Sequence, residues 1–292
     1  MHEETAADQY SAYWREANAG SAHHYWHFLF GYFLPLMRRL TPAHPRPRRA
    51  RLYDCGPLMN RILIEALARL DIRPEFDAGL ISEAAEPATN PAGAATVMDR
   101  WDLWLKHGDG ALAQKPLTEA AEFAAGLLSA WPCCNPRNAR DSVLIIRRSP
   151  EPSFYKPGGG AVIERYGAGR RSFEHVDEGA DELNARGVRS IVYEPGLHNL
   201  ACQINHFSRC GAVVGVRGAE FANILWAPRS ARIIMFMSSS IPNDRPPPRI
   251  LAALLGQPFF DIPHEGAASP TLDVEKVMQI LSGQVRPAAE IT

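Results

Sequence analysis

No apolar run in the sequence approaches the length of a membrane-spanning helix. The opening MHEETAADQY is acidic and polar, and lacks the basic start and apolar middle of a secretion signal. These absences predict a cytoplasmic protein with no integral membrane segment. Cysteine is scarce, with five in 292 residues, which argues against a disulfide framework. Cys133 and Cys134 are adjacent and lack zinc-site spacing, so no metal is expected; Cys55, Cys202 and Cys210 read as buried small apolar residues. Charge of either sign is not in excess: 31 Lys and Arg against 32 Asp and Glu give a net −1. That argues against a broad nucleic-acid-binding surface. The basic run Arg46–Arg51 reads as a solvated linker, with phosphate or lipid contact as the alternative. A Gly-x-Ser-x-Gly elbow, a P-loop and an internal repeat are all missing.

What is present is an α/β pattern. Hydrophobic residues make up 46% of the chain, enough for a substantial core. Residues 20–40 form a dense aromatic segment predicted as a helix, bent near Pro35. Arg51–Asp54 reads as a strand, Cys55-Gly56-Pro57 as a turn, and Met59–Leu70 as an amphipathic helix. Residues 71–100 carry little pattern, and Trp101 and Trp104 read as core packing. A helix is expected over Thr118–Ala130, then a linker over 131–141. The boundary divides the chain into domains 1–138 and 139–292. In the second, Val143–Ile146, Ser190–Tyr193, Ala212–Val216 and Arg232–Phe236 read as strands. Helices are expected over Asp177–Arg186, around Leu200–Phe207, after Glu220, and over Ile250–Leu255 and Leu272–Leu281. Phe173–Val176 fits strand or loop, and Gly158–Gly160 lies in a loop. Such alternation favours mostly parallel sheets covered by helices.

Polar and glycine residues cluster where strands hand over to helices, which is where open α/β sheets bind ligands. Arg147 and Arg148 follow a buried strand, and either can fork onto phosphate or carboxylate. Gly215, Arg217, Gly218 and Ala219 form a turn in which glycine lets a ligand approach the backbone; a packing turn fits equally well. Glu220 can accept from a ribose or cap the helix, and Asn223 can bond a ligand or its neighbours. Glu194 and His198 end another strand and can touch sugar or base, or serve their own turn. His23, His24 and His27 lie in HHYWH; His27 is a candidate general base, Asp54 a second, and a packing role fits both.

Three blocks together resemble glycosyltransferase family 61, in its bacterial branch of capsular polysaccharide biosynthesis proteins. The first is His24–Pro35, an aromatic and histidine block followed by Leu-Pro. The second is Val143–Arg148, a strand ending in arginine. The third runs from Glu194 to Phe236, with Gln203, Phe207, Val214–Ala219, Asn223 and Ala227-Pro228. The resemblance implies a GT-B-like architecture: two Rossmann-like domains, the N-terminal one reduced, with a cleft between them. It implies an inverting transferase that moves a sugar from a nucleotide-sugar donor to a hydroxyl of a glycan or polysaccharide precursor, with no metal or other cofactor. The donor side would include Arg147, Gly218, Ala219 and Asn223, and His27 would lie on the cleft side. Arg217 stands where the family commonly has histidine, and Glu220 where it commonly has glycine. Those departures motivate an alternative, a catalytically inactive subunit that binds a sugar nucleotide or glycan within a polysaccharide assembly system. Peripheral docking to a membrane complex is compatible with either.

Overall fold

The computed structural model describes residues 9–15, 21–40, 46–82, 95–107, 110–128, 140–149, 172–239, 246–265 and 269–288. The chain divides into two units, Met1–Ala130 and Trp131–Thr292, each with its own parallel sheet. The linker residues 131–139 and the glycine loop at 158–160 lie outside the described residues.

The first unit is built on β1 (Gln9–Arg15), β2 (Arg49–Tyr53), β3 (Arg73–Asp77), β4 (Ile81–Ser82) and β5 (Ala95–Val97). β1 is central, flanked by β2 and β3 on one side and by β4 and β5 on the other, all parallel. Its alternating burial puts Tyr10, Ala12 and Trp14 into the core. The helical segment over 20–40 runs as α1 (Tyr25–Phe28), a π-helical turn (Leu29–Phe33) and α2 (Leu34–Arg39). Residues 28–34 along it are all buried, so the aromatic density is core. α3 (Pro57–Ala68), α4 (Trp101–His107) and α5 (Gly110–Leu128) complete the unit.

Two expectations are corrected here. The basic run is not a free linker: Arg49–Arg51 begin β2, with Ala50 buried and Arg51 paired to Asp77 at 2.8 Å. Residues 71–100 are not patternless chain, since they supply β3, β4 and β5.

The second unit holds β6 (Val143–Ile146), β7 (Ser190–Tyr193), β8 (Ala212–Val216), β9 (Arg232–Ser238) and β10 (Phe259–His264). They lie in the order β10-β9-β8-β6-β7, every neighbour parallel. β6 and β8 are buried at every position, as strands covered on both faces must be. Around them run α6 (Val176–Ala185), α7 (Leu200–Phe207), α8 (Pro247–Leu255) and α9 (Val274–Leu281). Asn199 caps α7 by accepting from Cys202 N–H at 2.8 Å, and Asp273 caps α9 through Lys276 N–H at 2.9 Å. Glu174 forms a lone parallel bridge to Thr271. The stretch after Gly218 is a 3-10 helix, Ala219–Trp226, rather than an α-helix. Strand order reverses between β6 and β8, so the chain diverges there at the carboxyl edge of the sheet.

Candidate functional site

At the reversal point of the second sheet, two loops meet. Arg148 follows β6 and Glu220 follows β8, and Arg148 Nε donates to Glu220 Oε1 at 2.8 Å. Both side chains are largely buried. Gly218, between β8 and the 3-10 helix, has ordinary extended backbone, so its small size rather than its conformational freedom matters. A Cβ there would stand 2.5 Å from Glu220 Oε2 and 3.5 Å from the Arg148 guanidinium carbon. Glu220 therefore curls back over the glycine to reach Arg148.

Three polar atoms at these strand ends are buried without a hydrogen-bond partner: Arg217 Nη1, Glu220 Oε2 and Ser149 Oγ. Burial pulls the Arg217 guanidinium below its ordinary pKa. Ser149 Oγ lies close against Gly196 in the loop after β7. Buried polar groups are nearly always paired with protein, ordered water or ligand, and these three stand together at the strand ends where open α/β sheets bind ligands.

The other residues picked out at strand ends divide. Arg147 turns away from the pair, its N–H extending the sheet to Tyr193 O at 2.9 Å and its side chain meeting Asp177 on α6 in an exposed ion pair. Glu194 is half-buried and its carbonyl anchors the turn by accepting from Leu197 N–H at 3.1 Å. His198 stacks on Tyr193 with centroids 4.8 Å apart, and Tyr193 also stacks on His206 at 4.6 Å. Burial, then the neighbouring His206, holds the His198 pKa below its usual value. Ala219 opens the 3-10 helix, and Asn223 is wholly buried within it. Gly215 is a packing residue: a Cβ would lie 3.0 Å from Phe221 Cε2 and 3.2 Å from Ile146 Cβ. Cys202 is disulfide-bonded, which corrects its reading as a simple apolar filler.

In the first unit the carboxyl edge of the sheet is equally populated. His27 Nδ1 lies 2.6 Å from Asp102 Oδ2. Arg100 grips the same carboxylate with Nε on Oδ1 at 2.7 Å and Nη2 on Oδ2 at 2.6 Å. Arg100 also donates to Arg15 O at 3.1 Å, the last residue of β1, and stacks 4.1 Å over the Trp14 ring. The Asp102 and Arg100 side chains are 0% and 1% exposed, while His27 keeps 22%. Burial would raise the Asp102 pKa, but hydrogen bonds from Arg100 and His27 outweigh it and hold the carboxyl below its usual value.

Tyr32 fixes the helical segment to the sheet, donating to Ala12 O at 2.8 Å and accepting from Tyr53 N–H at 2.7 Å. His24, 6.0 Å from His27 ring to ring, is pushed down to about pKa 4 by burial and then by His27 and His23. Asp54 is engaged locally: its Oδ1 accepts from Gly56 N–H at 2.9 Å and Asn60 Nδ2 at 2.8 Å. Asp102 and Arg100 were not among the sequence candidates. The available signal was a Arg-Trp-Asp triplet, two charges on either side of a fully buried tryptophan.

Among the described residues, no group of three or more His, Cys, Asp or Glu is placed to hold a metal, and no helix is long and apolar enough to cross a membrane. The family model described as Glycosyltransferase 61 matches residues 25–234. A search of curated proteins returned no match.

Proposed function

Because the chain belongs to the Glycosyltransferase 61 family, we propose that it transfers a sugar, with inversion, from a nucleotide-sugar donor to a hydroxyl of a glycan or polysaccharide precursor. The observation that carries the reading is the set of unpaired buried atoms at the reversal point of the second sheet. Arg217 Nη1 needs an acceptor, and Glu220 Oε2 needs a donor. A ribosyl diphosphate offers both, with anionic oxygens for the arginine and hydroxyls for the carboxylate. Ser149 Oγ suits either. The N–H groups at the start of the 3-10 helix, at Ala219 and Glu220, add donors for the diphosphate.

His27 is the general base. The acceptor hydroxyl gives its proton to His27 Nε2 while its oxygen forms a bond to the anomeric carbon. The bond from that carbon to the diphosphate oxygen breaks with its electron pair, and a nucleoside diphosphate leaves. Arg217 and Arg148 stabilise the charge that grows on the leaving group. Asp54 is the weaker base, since one of its oxygens already serves the turn that begins α3. Arg147 can swing from its exposed ion pair to the diphosphate at little cost, because such pairs contribute about 0–1 kcal/mol.

Titration calorimetry with UDP-, GDP-, CMP- and dTDP-sugars tests the reading. Micromolar binding of one donor, with nucleotide release that His27→Ala abolishes, is the expected outcome. Absence of binding across the panel sinks it. Binding without turnover on broad acceptor panels favours the inactive-subunit alternative, which the Glu220 carboxylate at the phosphate-facing turn motivates.

A further inference from the structure

An isolated histidine on a helix makes an indifferent base, because its ring is free to turn and its neutral form divides between two tautomers. His27 is not isolated. Asp102, with its pKa held low, is a carboxylate and can only accept. Both its oxygens are already in the fork of Arg100, and Oδ2 lies 2.6 Å from His27 Nδ1. A contact that short to an acceptor requires the proton on Nδ1. In the neutral ring the other nitrogen, Nε2, then keeps its lone pair.

We infer that Asp102 and Arg100 are positioning residues that lock His27 in the Nδ1–H tautomer and leave Nε2 as the proton acceptor. The base role itself rests on the transferase reading; the lock does not.

The surroundings are organised for the lock. A buried ion pair is no more stabilising than well-packed apolar residues, so an Arg–Asp pair with 1% and 0% exposure has little value as mere filling. Arg100 is itself held from two further sides, by Arg15 O at 3.1 Å and by the Trp14 ring at 4.1 Å. Gly31, within the π-helical turn, leaves room for the pair. A Cβ at Gly31 would stand 2.7 Å from Asp102 Oδ1 and 2.9 Å from Arg100 Nε. Any larger residue would push the pair off its seat. π-helical turns within α-helices occur frequently at functional sites. His24, whose ring lies 6.0 Å from that of His27, is neutral near pH 7 and so does not compete for the Asp102 charge. When Nε2 takes a proton, the imidazolium is stabilised by the Asp102 carboxylate, and the proton passes to solvent after product leaves.

The test is a long-range nitrogen–proton NMR spectrum of histidine-labelled protein at pH 7.5, with His27 identified by the resonances that His27→Gln removes. The expected pattern is a protonated Nδ1 and an unprotonated Nε2. The Nε2–H form, which free imidazole side chains prefer, or a mixture of the two, overturns the inference. Arg100→Lys keeps the charge and loses the fork. It is expected to admit the second tautomer and to lower kcat by about 10–100-fold, part of the ~10²–10⁴ that a positioned base contributes, while the donor Kd stays unchanged. An unchanged kcat with an unchanged spectrum overturns the role of Arg100. Should Arg100→Lys not fold, the wild-type spectrum decides by itself. A locked tautomer in a protein that binds no nucleotide sugar supports the positioning pair and overturns the transferase reading instead.

Discussion

Arg217, proposed to meet the diphosphate, is a residue at which stability and binding would pull in opposite directions. Its guanidinium is partly buried and its Nη1 has no partner. Burial without compensation lowers its pKa, which means the charged form is disfavoured where it stands. Replacing such a group by an apolar one of similar length removes an unpaid desolvation term. Arg217→Met is therefore expected to leave the melting temperature unchanged or to raise it by a few degrees. Under the proposed function the same change would remove a charge-assisted hydrogen bond to the diphosphate, worth about 1.5–3 kcal/mol, so nucleotide affinity is expected to fall by about 10–100-fold. Thermal denaturation and calorimetry on one preparation read both. A fall in stability with affinity retained would place Arg217 in the scaffold. Residues of this kind were legible before the fold, because an arginine beside a glycine at a strand end is a local pattern. Arg148 and Arg147 were legible only as a pair, since two adjacent side chains on a strand end diverge and nothing local says which turns inward. Asp102 could not be found that way. It acts on His27 across 75 positions of chain, and that pairing exists only once β1 and β5 lie side by side.

At the scale of elements, legibility followed burial. β6 and β8 are buried along their whole length and read as apolar runs. β3, Arg-Pro-Glu-Phe-Asp, is an edge strand with no fully buried position, and its charges protect an edge rather than announce a strand. β10 also lies at an edge and contains Pro263, which a central strand would not tolerate. β1 is half-buried with polar alternation, so an acidic N-terminal sequence hid the central strand of the first sheet. Gly215 is the case where the element explains the residue. It lies inside β8, where Ile146 of the neighbouring strand and Phe221 of the 3-10 helix close over it. Gly215→Ala would force these side chains apart by a few tenths of an ångström in a packed layer, and overpacking costs about 1–3 kcal/mol. The expected result is a lower denaturation midpoint with the donor Kd of the folded protein unchanged. A loss of affinity at full stability would return Gly215 to the binding surface.

For the whole molecule, the two sheets place chemistry by one rule. Each is parallel, and in each a group of charged residues lies near a strand's carboxyl end beside a reversal in strand order: Arg148 and Glu220 after β6 and β8, and Arg100 against Arg15 O of β1. The family match begins at residue 25 and ends at 234, so β1 precedes it and β10 and α9 follow it. Both sheets thus extend past the matched region; β10 and α9 join the core of the second unit, while β1 also holds Arg100 through Trp14 and Arg15 O. In the second unit Val143, Phe236, Phe260 and Ile280 share one core, so residues from β6 to α9 close on themselves. Strand pairing is likewise internal to residues 143–264. Residues 131–292 expressed alone are therefore expected to fold cooperatively. Arg148, Ser149, Arg217 and Glu220 all lie within that fragment. Its affinity for the preferred nucleoside diphosphate is expected to match that of the full chain within about tenfold, since every atom proposed to bind it is retained. Transfer should be absent, because His27, Asp102 and Arg100 are gone. Chemical denaturation followed by circular dichroism and fluorescence tests the first expectation, and calorimetry the second. A fragment that folds but does not bind would overturn the assignment of the nucleotide to the strand ends of the second unit.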